Sequence, residues 1–273
     1  MNLGSVLFFA YVGVEAALVV LLTHKRVWRT LPYFCAYCTW DLINNVALYA
    51  GTKLFNQSVV LYDAKYLQIY TIETIIDSAL LFCVLVELAW SVLRPIRASL
   101  PRYVLVVITI VLLLIAAVIW PFAGFSGLAH SASNQWLMHQ WLMLTQLQHT
   151  VSILRILFFF LLAGGSQILS IGWRDRELQI ATGLGLYSLV SVAVSILQGH
   201  LNSGSEYVRL YNLDVLCFLC SLLYWTYCFA QKEAERRPFT PEMQRVLLAV
   251  AGAAHANRIA LTESRPGKPH RHD

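Results

Sequence analysis

Charged residues are scarce in this chain. They make up 13% of its 273 residues, whereas a soluble globular domain carries about 25%. Hydrophobic residues account for 58% of the chain. This deficit of charge argues against an ordinary soluble protein and favours a protein that is embedded in a bilayer.

Long polar segments are also lacking. A helix needs about 20 mostly apolar residues to cross a bilayer, and seven segments of the chain meet that need. We place them at about 5–23, 32–52, 67–92, 103–123, 144–171, 178–199 and 210–231. Only residues 232–273 remain for a soluble domain, and they are too few for an independent core. We therefore predict an all-α, polytopic membrane protein with a seven-helix transmembrane domain over residues 1–231.

Motifs for cofactor chemistry are missing as well. The sequence has no glycine-rich phosphate-binding loop and no zinc-binding motif. His139 and His149 are ten residues apart, so they do not share a helix face on which to hold a haem. The seventh predicted helix has no lysine to form a Schiff base with retinal. We predict no enzyme activity, no cofactor and no metal site.

The six cysteines do not change this prediction. Cys35 and Cys38 form one Cys-x-x-Cys pair, and Cys217 and Cys220 form another. This spacing suits redox or metal chemistry in some proteins, but we place the two pairs toward opposite sides of the membrane. Cysteine is also a common apolar filler of helix interfaces, which is the interpretation we favour.

The basic residues predict the orientation. Cytoplasmic loops of membrane proteins are enriched in lysine and arginine. On one side of the seven predicted spans lie Lys25, Arg26, Arg29, Arg94, Arg97, Arg102, Arg174, Arg176, Lys232, Arg236, Arg237 and Arg245. On the other side lie only Lys53, Lys65 and Arg209. We predict a multi-pass protein of the plasma (inner) membrane with its N-terminus outside and its C-terminus in the cytoplasm. The net charge of +5 is then a topology signal, and no nucleic-acid partner is predicted.

Two segments of the chain are similar to each other. Residues 66–73 read YLQIYTIE and residues 207–214 read YVRLYNLD, at the start of the third and seventh predicted helices. The similarity predicts a 3+1+3 duplication, with repeat units at about 5–97 and 144–238 and a connector helix at about 103–123. The alternative is that aromatic and basic residues recur at membrane interfaces by chance. The topology resembles that of the SWEET-type sugar transporters; the Pro-Gln pair of the related PQ-loop proteins is absent, and no site residue is transferred.

Six carboxylates lie inside the predicted spans against a single arginine, Arg155. They are Glu15, Asp41, Glu73, Asp77, Glu87 and Asp214. Ionisable side chains in a bilayer are costly, so they face a polar interior, pair with each other or bind a cation. Polar residues also recur at intervals of three and four on six of the helices, whereas the fourth helix is almost wholly apolar. The predicted ligand- or ion-binding residues are Glu15, Asp41, Asn45, Glu73, Asp77, Arg155, Ser188 and Asp214.

Two structural alternatives apply to these residues. Serine and asparagine often hydrogen-bond neighbouring membrane helices together, and we favour that role for the sixth helix. Arg155 lies near the middle of its span and cannot lose its proton. We therefore expect it within hydrogen-bond distance of a carboxylate, Asp77 or Asp41, either as part of a functional site or as a structural ion pair.

The tail follows the last predicted span. Thr240, Pro241 and Glu242 form a good helix start, and apolar residues then recur on one face. We predict an amphipathic helix over about 241–262 that lies on the inner leaflet or docks a cytoplasmic partner, followed by a disordered end.

These features predict a small-solute transporter with proton or cation coupling through intramembrane carboxylates. Its predicted partners are the lipid bilayer and a small-molecule or cation ligand. The first alternative is a seven-helix sensor or receptor that signals through a separate cytoplasmic partner. The second alternative is a structural subunit of a membrane complex.

Overall fold

The computed structural model describes residues 3–54, 64–92, 104–123, 135–165, 175–200 and 205–231. These residues form seven α-helices, with short 3-10 turns at Val27–Arg29 and Trp120–Phe122. The α-helices are Leu3–His24 (α1), Pro32–Leu54 (α2), Ala64–Val92 (α3), Val104–Ile119 (α4), Gln135–Gly165 (α5), Arg176–His200 (α6) and Ser205–Ala230 (α7). A helix satisfies its backbone hydrogen bonds internally, which a chain in lipid requires.

The all-helical architecture predicted from the sequence is confirmed, and the length and composition of its helices fit a membrane protein. Six of the described helices are long and apolar enough to cross a bilayer, and α2 is the helix outside this group. It has 23 residues, but Asp41, Asn44 and Asn45 lower its mean hydropathy. The fifth helix begins at Gln135 rather than at 144, because the polar residues at its start continue a helix that hydropathy alone does not detect. The predicted tail helix lies outside the described residues.

Six helices form a closed ring. Around this ring α1 packs against α2, α2 against α3, α3 against α5, α5 against α6, α6 against α7, and α7 returns to α1. Helix α4 lies outside the ring against α3 and α5. Most of its side chains are exposed, with Leu112 as its buried residue. This placement agrees with the expectation that an almost wholly apolar helix faces lipid on most sides.

The apolar core fills one half of the ring along the direction of the helix axes, so it lies at one end of the bundle. This closed half contains the end of α1, the start of α2, the ends of α3 and α5, the start of α6 and the end of α7. Trp225 of α7 meets Phe34 of α2 edge to face, with ring centres 5.4 Å apart, and Phe229 stacks on Phe34 at 5.8 Å. Leucines of the surrounding helices pack around them: Leu18, Leu22, Leu85, Leu88, Leu178 and Leu184. Because apolar side chains fill this half, most polar side chains of the ring lie in the other half.

Polar contacts hold the helix ends of the closed half together. Lys25 Nζ, just after α1, donates to the backbone oxygens of Ala230 and Gln231 at 2.8 and 2.9 Å. These oxygens lie at the C-terminal end of α7, where a cation is favourable. Ser91 Oγ of α3 donates to Glu177 Oε1 of α6 at 2.5 Å. The two contacts join α1 to α7 and α3 to α6.

A carboxylate caps the start of α2. The first backbone N–H groups of a helix have no partner within the helix. Here Tyr33 N–H donates to Glu87 Oε1 at 3.0 Å, and Phe34 N–H donates to Glu87 Oε2 at 2.9 Å. Glu87 therefore joins α3 to α2, and its charge complements the positive end of the α2 dipole.

Candidate functional site

A central cavity of about 530 Å³ lies in the other half of the ring. All six ring helices contribute to its lining, and among the described residues α4 contributes none. The lining residues come from the first half of α1, α3 and α7 and from the middle of α2, α5 and α6. The apolar core of the closed half therefore forms the floor of this cavity.

Six of the eight predicted site residues line the cavity. They are Asp41, Asn45, Glu73, Asp77, Arg155 and Asp214. Their helices bring them together because residues three and four apart share a face. Ser188 lies elsewhere: it is fully buried, and its hydroxyl donates to the Leu184 backbone oxygen at 2.7 Å. That contact stays within α6.

Asp41 is the centre of a hydrogen-bond network between α1 and α2. Tyr11 Oη donates to Asp41 Oδ2 at 2.7 Å. Asn45 Nδ2 lies 3.1 Å from Asp41 Oδ1 and 2.9 Å from Tyr11 Oη. Both oxygens of the Asp41 carboxylate are therefore partnered, so the network fixes the side chain at the cavity wall.

Glu15 lies in the wall beside this network and is not part of the lining. Its exposed fraction is 1%, and neither carboxyl oxygen has a hydrogen-bond partner in the described part of the chain. Asp41 and Tyr11 nevertheless lie close enough to Glu15 for weak side-chain hydrogen bonding and for electrostatic interaction. Two neighbouring carboxyl groups out of water repel each other when both are ionised, so this pair needs a proton or a nearby cation.

Glu73 and Asp77 extend the acidic lining along α3. Asn44 Nδ2 of α2 donates to Glu73 Oε1, which fixes Glu73 against the neighbouring helix. Asp77 lies within electrostatic range of Arg155, Asp41 and Glu73. It is partly exposed to the cavity, and is thus available to a solute.

Arg155 does not make the predicted direct contact with Asp77 or Asp41. Its Nη2 donates to Ser152 Oγ at 2.9 Å, one turn earlier on α5, and its Nε has no partner among the described residues. The guanidinium carbon lies 5.7 Å from the centre of the Tyr187 ring. No carboxylate of the described residues is paired with it within 4.0 Å, although Asp77 and Asp214 are close enough to interact with it electrostatically.

Aromatic rings form a second part of the lining. Tyr187 of α6 and Phe218 of α7 have ring centres 4.7 Å apart, and Tyr11 of α1 lies 5.5 Å from Phe218. Asp214 lies one turn before Phe218 and interacts electrostatically with Tyr187. Its Oδ1 is buried without a hydrogen-bond partner among the described residues.

None of these aromatic residues is among the site residues predicted from the sequence. The signal was present in the spacing. Tyr37 precedes Asp41 by four residues, Tyr187 precedes Ser191 by four, and Phe218 follows Asp214 by four. An aromatic residue one turn from a polar lining residue shares its helix face, so these rings also line the cavity.

The lining acids are spread around the cavity. In the described residues, no three side chains of histidine, cysteine, aspartate or glutamate converge closely enough to hold a metal ion. The arrangement is suited to exchanging protons with water and to binding a polar or charged solute between separate carboxylates.

No protein-family model, no curated protein and no solved structure matches this chain.

Proposed function

We propose that the chain is a small-solute transporter that couples solute movement to protons or another cation. The observation that carries the proposal is the acid-lined cavity enclosed by six helices and closed at one end. Transporters bind their substrates near the middle of the membrane, between units that move relative to each other.

We propose that α2 is a seventh span. Its 23 residues extend about 34 Å at 1.5 Å per residue, enough for a hydrocarbon core of about 30 Å. Its polar residues Asp41, Asn44 and Asn45 face the cavity, so they need not contact lipid. With seven spans, the basic residues place the N-terminus outside the plasma (inner) membrane and the tail inside. The cavity then faces outward and the closed half faces the cytoplasm.

The ring is compatible with the proposed 3+1+3 duplication. A two-fold axis along the membrane normal would relate α1, α2 and α3 to α5, α6 and α7, and would exchange the α3–α5 and α7–α1 interfaces. A simple serial ring has the same neighbours, so the duplication rests on the similarity of residues 66–73 and 207–214. Helix α4 lies outside the ring, which is compatible with the proposed role of a connector between the two units.

The contacts of the closed half suggest how the two units could move. Glu87 joins α3 to α2 within the first unit, so it keeps that unit rigid. Lys25 with the end of α7, and Ser91 with Glu177, cross between the units. Breaking these crossing contacts while the first unit stays intact would open the closed half to the cytoplasm.

The test is flux in proteoliposomes that contain a pH-sensitive dye. Representative sugars, amino acids, amines and carboxylic acids are added outside in turn, and at least one class should drive dye-reported proton movement that protein-free liposomes lack. Asp77→Asn should abolish or strongly reduce that coupling, because the amide does not exchange a proton. The exposed Glu206→Gln, which removes the same charge outside the cavity, should retain it.

The sensor and subunit alternatives predict a different outcome. A sensor would bind a solute saturably in the same cavity but would move neither solute nor protons. That result would refute transport and favour a receptor that acts through a separate partner. Absence of both binding and flux would favour the structural subunit.

A further inference from the structure

The geometry points to an organic cation as the ligand of the central cavity: an amine with a protonated or quaternary ammonium group and a small apolar body. This inference deepens the proposed function, since it assigns a substrate class to the same cavity. It rests on the charge of the lining, the aromatic wall, the cavity volume and the position of Arg155.

The lining carries an excess of acid. Four carboxylates line the cavity, from Asp41, Glu73, Asp77 and Asp214, against one guanidinium, that of Arg155. Beside them Glu15 is 1% exposed, and its carboxyl group lies next to Asp41 and Tyr11 without a well-formed hydrogen bond in the described residues. Carboxylates held close together out of water repel each other when they are ionised, so this half of the bundle favours a ligand that brings positive charge.

The aromatic wall is suited to a cation that also has apolar surface. Tyr11, Phe218 and Tyr187 are in ring-to-ring contact, and Asp214 lies one helix turn from Phe218. The face of an aromatic ring attracts an ammonium group, and cages of such rings are a common way to bind quaternary amines. Arg155 already places its guanidinium over Tyr187, which shows that a cation fits against this wall.

The volume argues for a molecule rather than a bare metal ion. Sites for small molecules range over about 300–1,000 Å³, and this cavity has about 530 Å³. A metal ion needs several oxygen ligands within about 2.6 Å, whereas no such group of three acidic, histidine or cysteine side chains occurs in the described residues. Acids that are separated by rings match an ammonium group with substituents.

Arg155 acts as a competing cation in this arrangement. Its exposed fraction is 7%, it lines the cavity, and its Nε lacks a hydrogen-bond partner among the described residues. It interacts with Asp77 and Asp214 electrostatically without pairing with either. A bound ammonium group would neutralise the same acids, and the positive charge of Arg155 would oppose its binding.

The experiment uses the purified full-length chain in detergent and three probes of matched shape: 2-phenylethylammonium, neutral 2-phenylethanol and anionic phenylacetate. Binding is followed by the unfolding temperature and by tryptophan fluorescence, since Trp40 lines the cavity. Ionic strength and pH are held constant. The ammonium probe should raise the unfolding temperature saturably, as a ligand of the folded state must, and the other two probes should not.

Two variants should change the affinity for 2-phenylethylammonium in opposite directions. Asp214→Asn should weaken binding about tenfold or more, because a charged partner is lost. Arg155→Gln should tighten binding, because the competing charge is removed. Glu206→Gln, exposed on the first turn of α7, should leave the affinity unchanged. Loss of folding would weaken binding in every variant, so tighter binding in Arg155→Gln separates the proposal from a structural role.

Saturable binding of phenylacetate or 2-phenylethanol in place of the ammonium probe would overturn the inference, as would weaker ammonium binding in Arg155→Gln. The outcomes are independent of the transport test, because no membrane gradient is present. Ammonium binding without flux would keep the ligand class and refute transport. Coupled flux of another solute class without ammonium binding would do the reverse.

Discussion

The six carboxylates inside the predicted spans have different roles, although they look alike in the sequence. Glu87 accepts two backbone N–H groups of α2 and is structural. Asp41 is held by Tyr11 and Asn45 at the cavity wall, whereas Glu15 lies beside this network without a well-formed hydrogen bond in the described residues. The environment of each carboxylate, rather than its depth in the membrane, separates the structural acid from the candidate site.

The Glu87 cap leads to a stability prediction. Glu87→Gln keeps one acceptor oxygen but replaces the other with an amide that donates, so one N–H at the start of α2 loses its partner. We expect the free energy of unfolding to fall by about 1–3 kcal/mol, measured by equilibrium unfolding in mixed micelles. Glu206→Gln removes the same charge from the exposed first turn of α7 and should lower it by less than about 1 kcal/mol, the helix-dipole contribution alone. Equal effects in the two variants would contradict the capping role.

For individual residues, the sequence predicted which side chains share a helix face better than it predicted their hydrogen-bond partners. The spacing of Asp41 with Asn45, and of Glu73 with Asp77, predicted pairs that share a helix face, and in the structure both pairs line the same cavity. The direct contact of Arg155 with an acid was wrong, because helix periodicity specifies a direction and not the distance across a ring. Ser152, one turn away on the same helix, was the nearer acceptor.

At the scale of the helices, two glycines allow α6 to approach its neighbours. A Cβ atom at Gly183 would lie 2.2 Å from Nε1 of Trp225, and one at Gly185 would lie 2.4 Å from Cβ of Phe159. The Trp225 ring is fully buried in the core of the closed half, so it has little room to move. Small residues at interfaces commonly permit such close packing of membrane helices.

Gly183→Ala should therefore destabilise the protein. Forcing a methyl group against a buried ring in a packed core costs about 1–3 kcal/mol, which should exceed the gain in helix propensity of about 1 kcal/mol. Gly164→Ala is the matched control, since a Cβ at Gly164 meets nothing within 4 Å and should be neutral or stabilising. Thermal unfolding in detergent measures both.

A second variant tests the cause of the Gly183→Ala effect. Trp225→Leu on its own should destabilise the core, but in the Gly183→Ala background it should relieve the clash, so the two changes should be non-additive. Additive effects would place the cost of Gly183→Ala somewhere other than Trp225.

Hydropathy predicted the helices of this bundle well and their ends less well. The apolar runs located α1, α3, α4, α6 and α7 to within a few residues. The start of α5 at Gln135 was missed because QWLMHQ is polar enough to resemble a loop while still forming a helix. Helix α2 was located to within two residues, at about 32–52 against Pro32–Leu54, although its polar face lowers its mean hydropathy. The ring shields that face from lipid.

At the scale of the whole molecule, the ring order and the division into two halves could not be predicted from the sequence. Both depend on which helix faces meet, and those contacts are far apart in the chain. The sequence did indicate which helix would be left out, since α4 has no polar stripe to direct toward a cavity. Because the cavity opens at one end of the bundle only, the orientation of the protein in the membrane decides which compartment the cavity faces.

The last prediction tests the orientation and the cavity together. In a variant without the six native cysteines, single cysteines are introduced at Gln57, Gly172 and Asn212, and intact cells are treated with a membrane-impermeant thiol reagent. Seven spans with the N-terminus outside place residues 53–65 outside and residues 172–177 inside. Gln57→Cys should react in intact cells, and Gly172→Cys should react only after permeabilisation.

Asn212 lines the cavity, so Asn212→Cys should react from the same side as Gln57→Cys, more slowly because the cavity restricts access. Labelling of Gln57→Cys and Gly172→Cys from one side would refute the seven-span topology. If those two behave as expected but Asn212→Cys reacts only from the cytoplasmic side, the cavity faces inward in the membrane. The proposed outward-facing state would then be wrong, even though the helix count would stand.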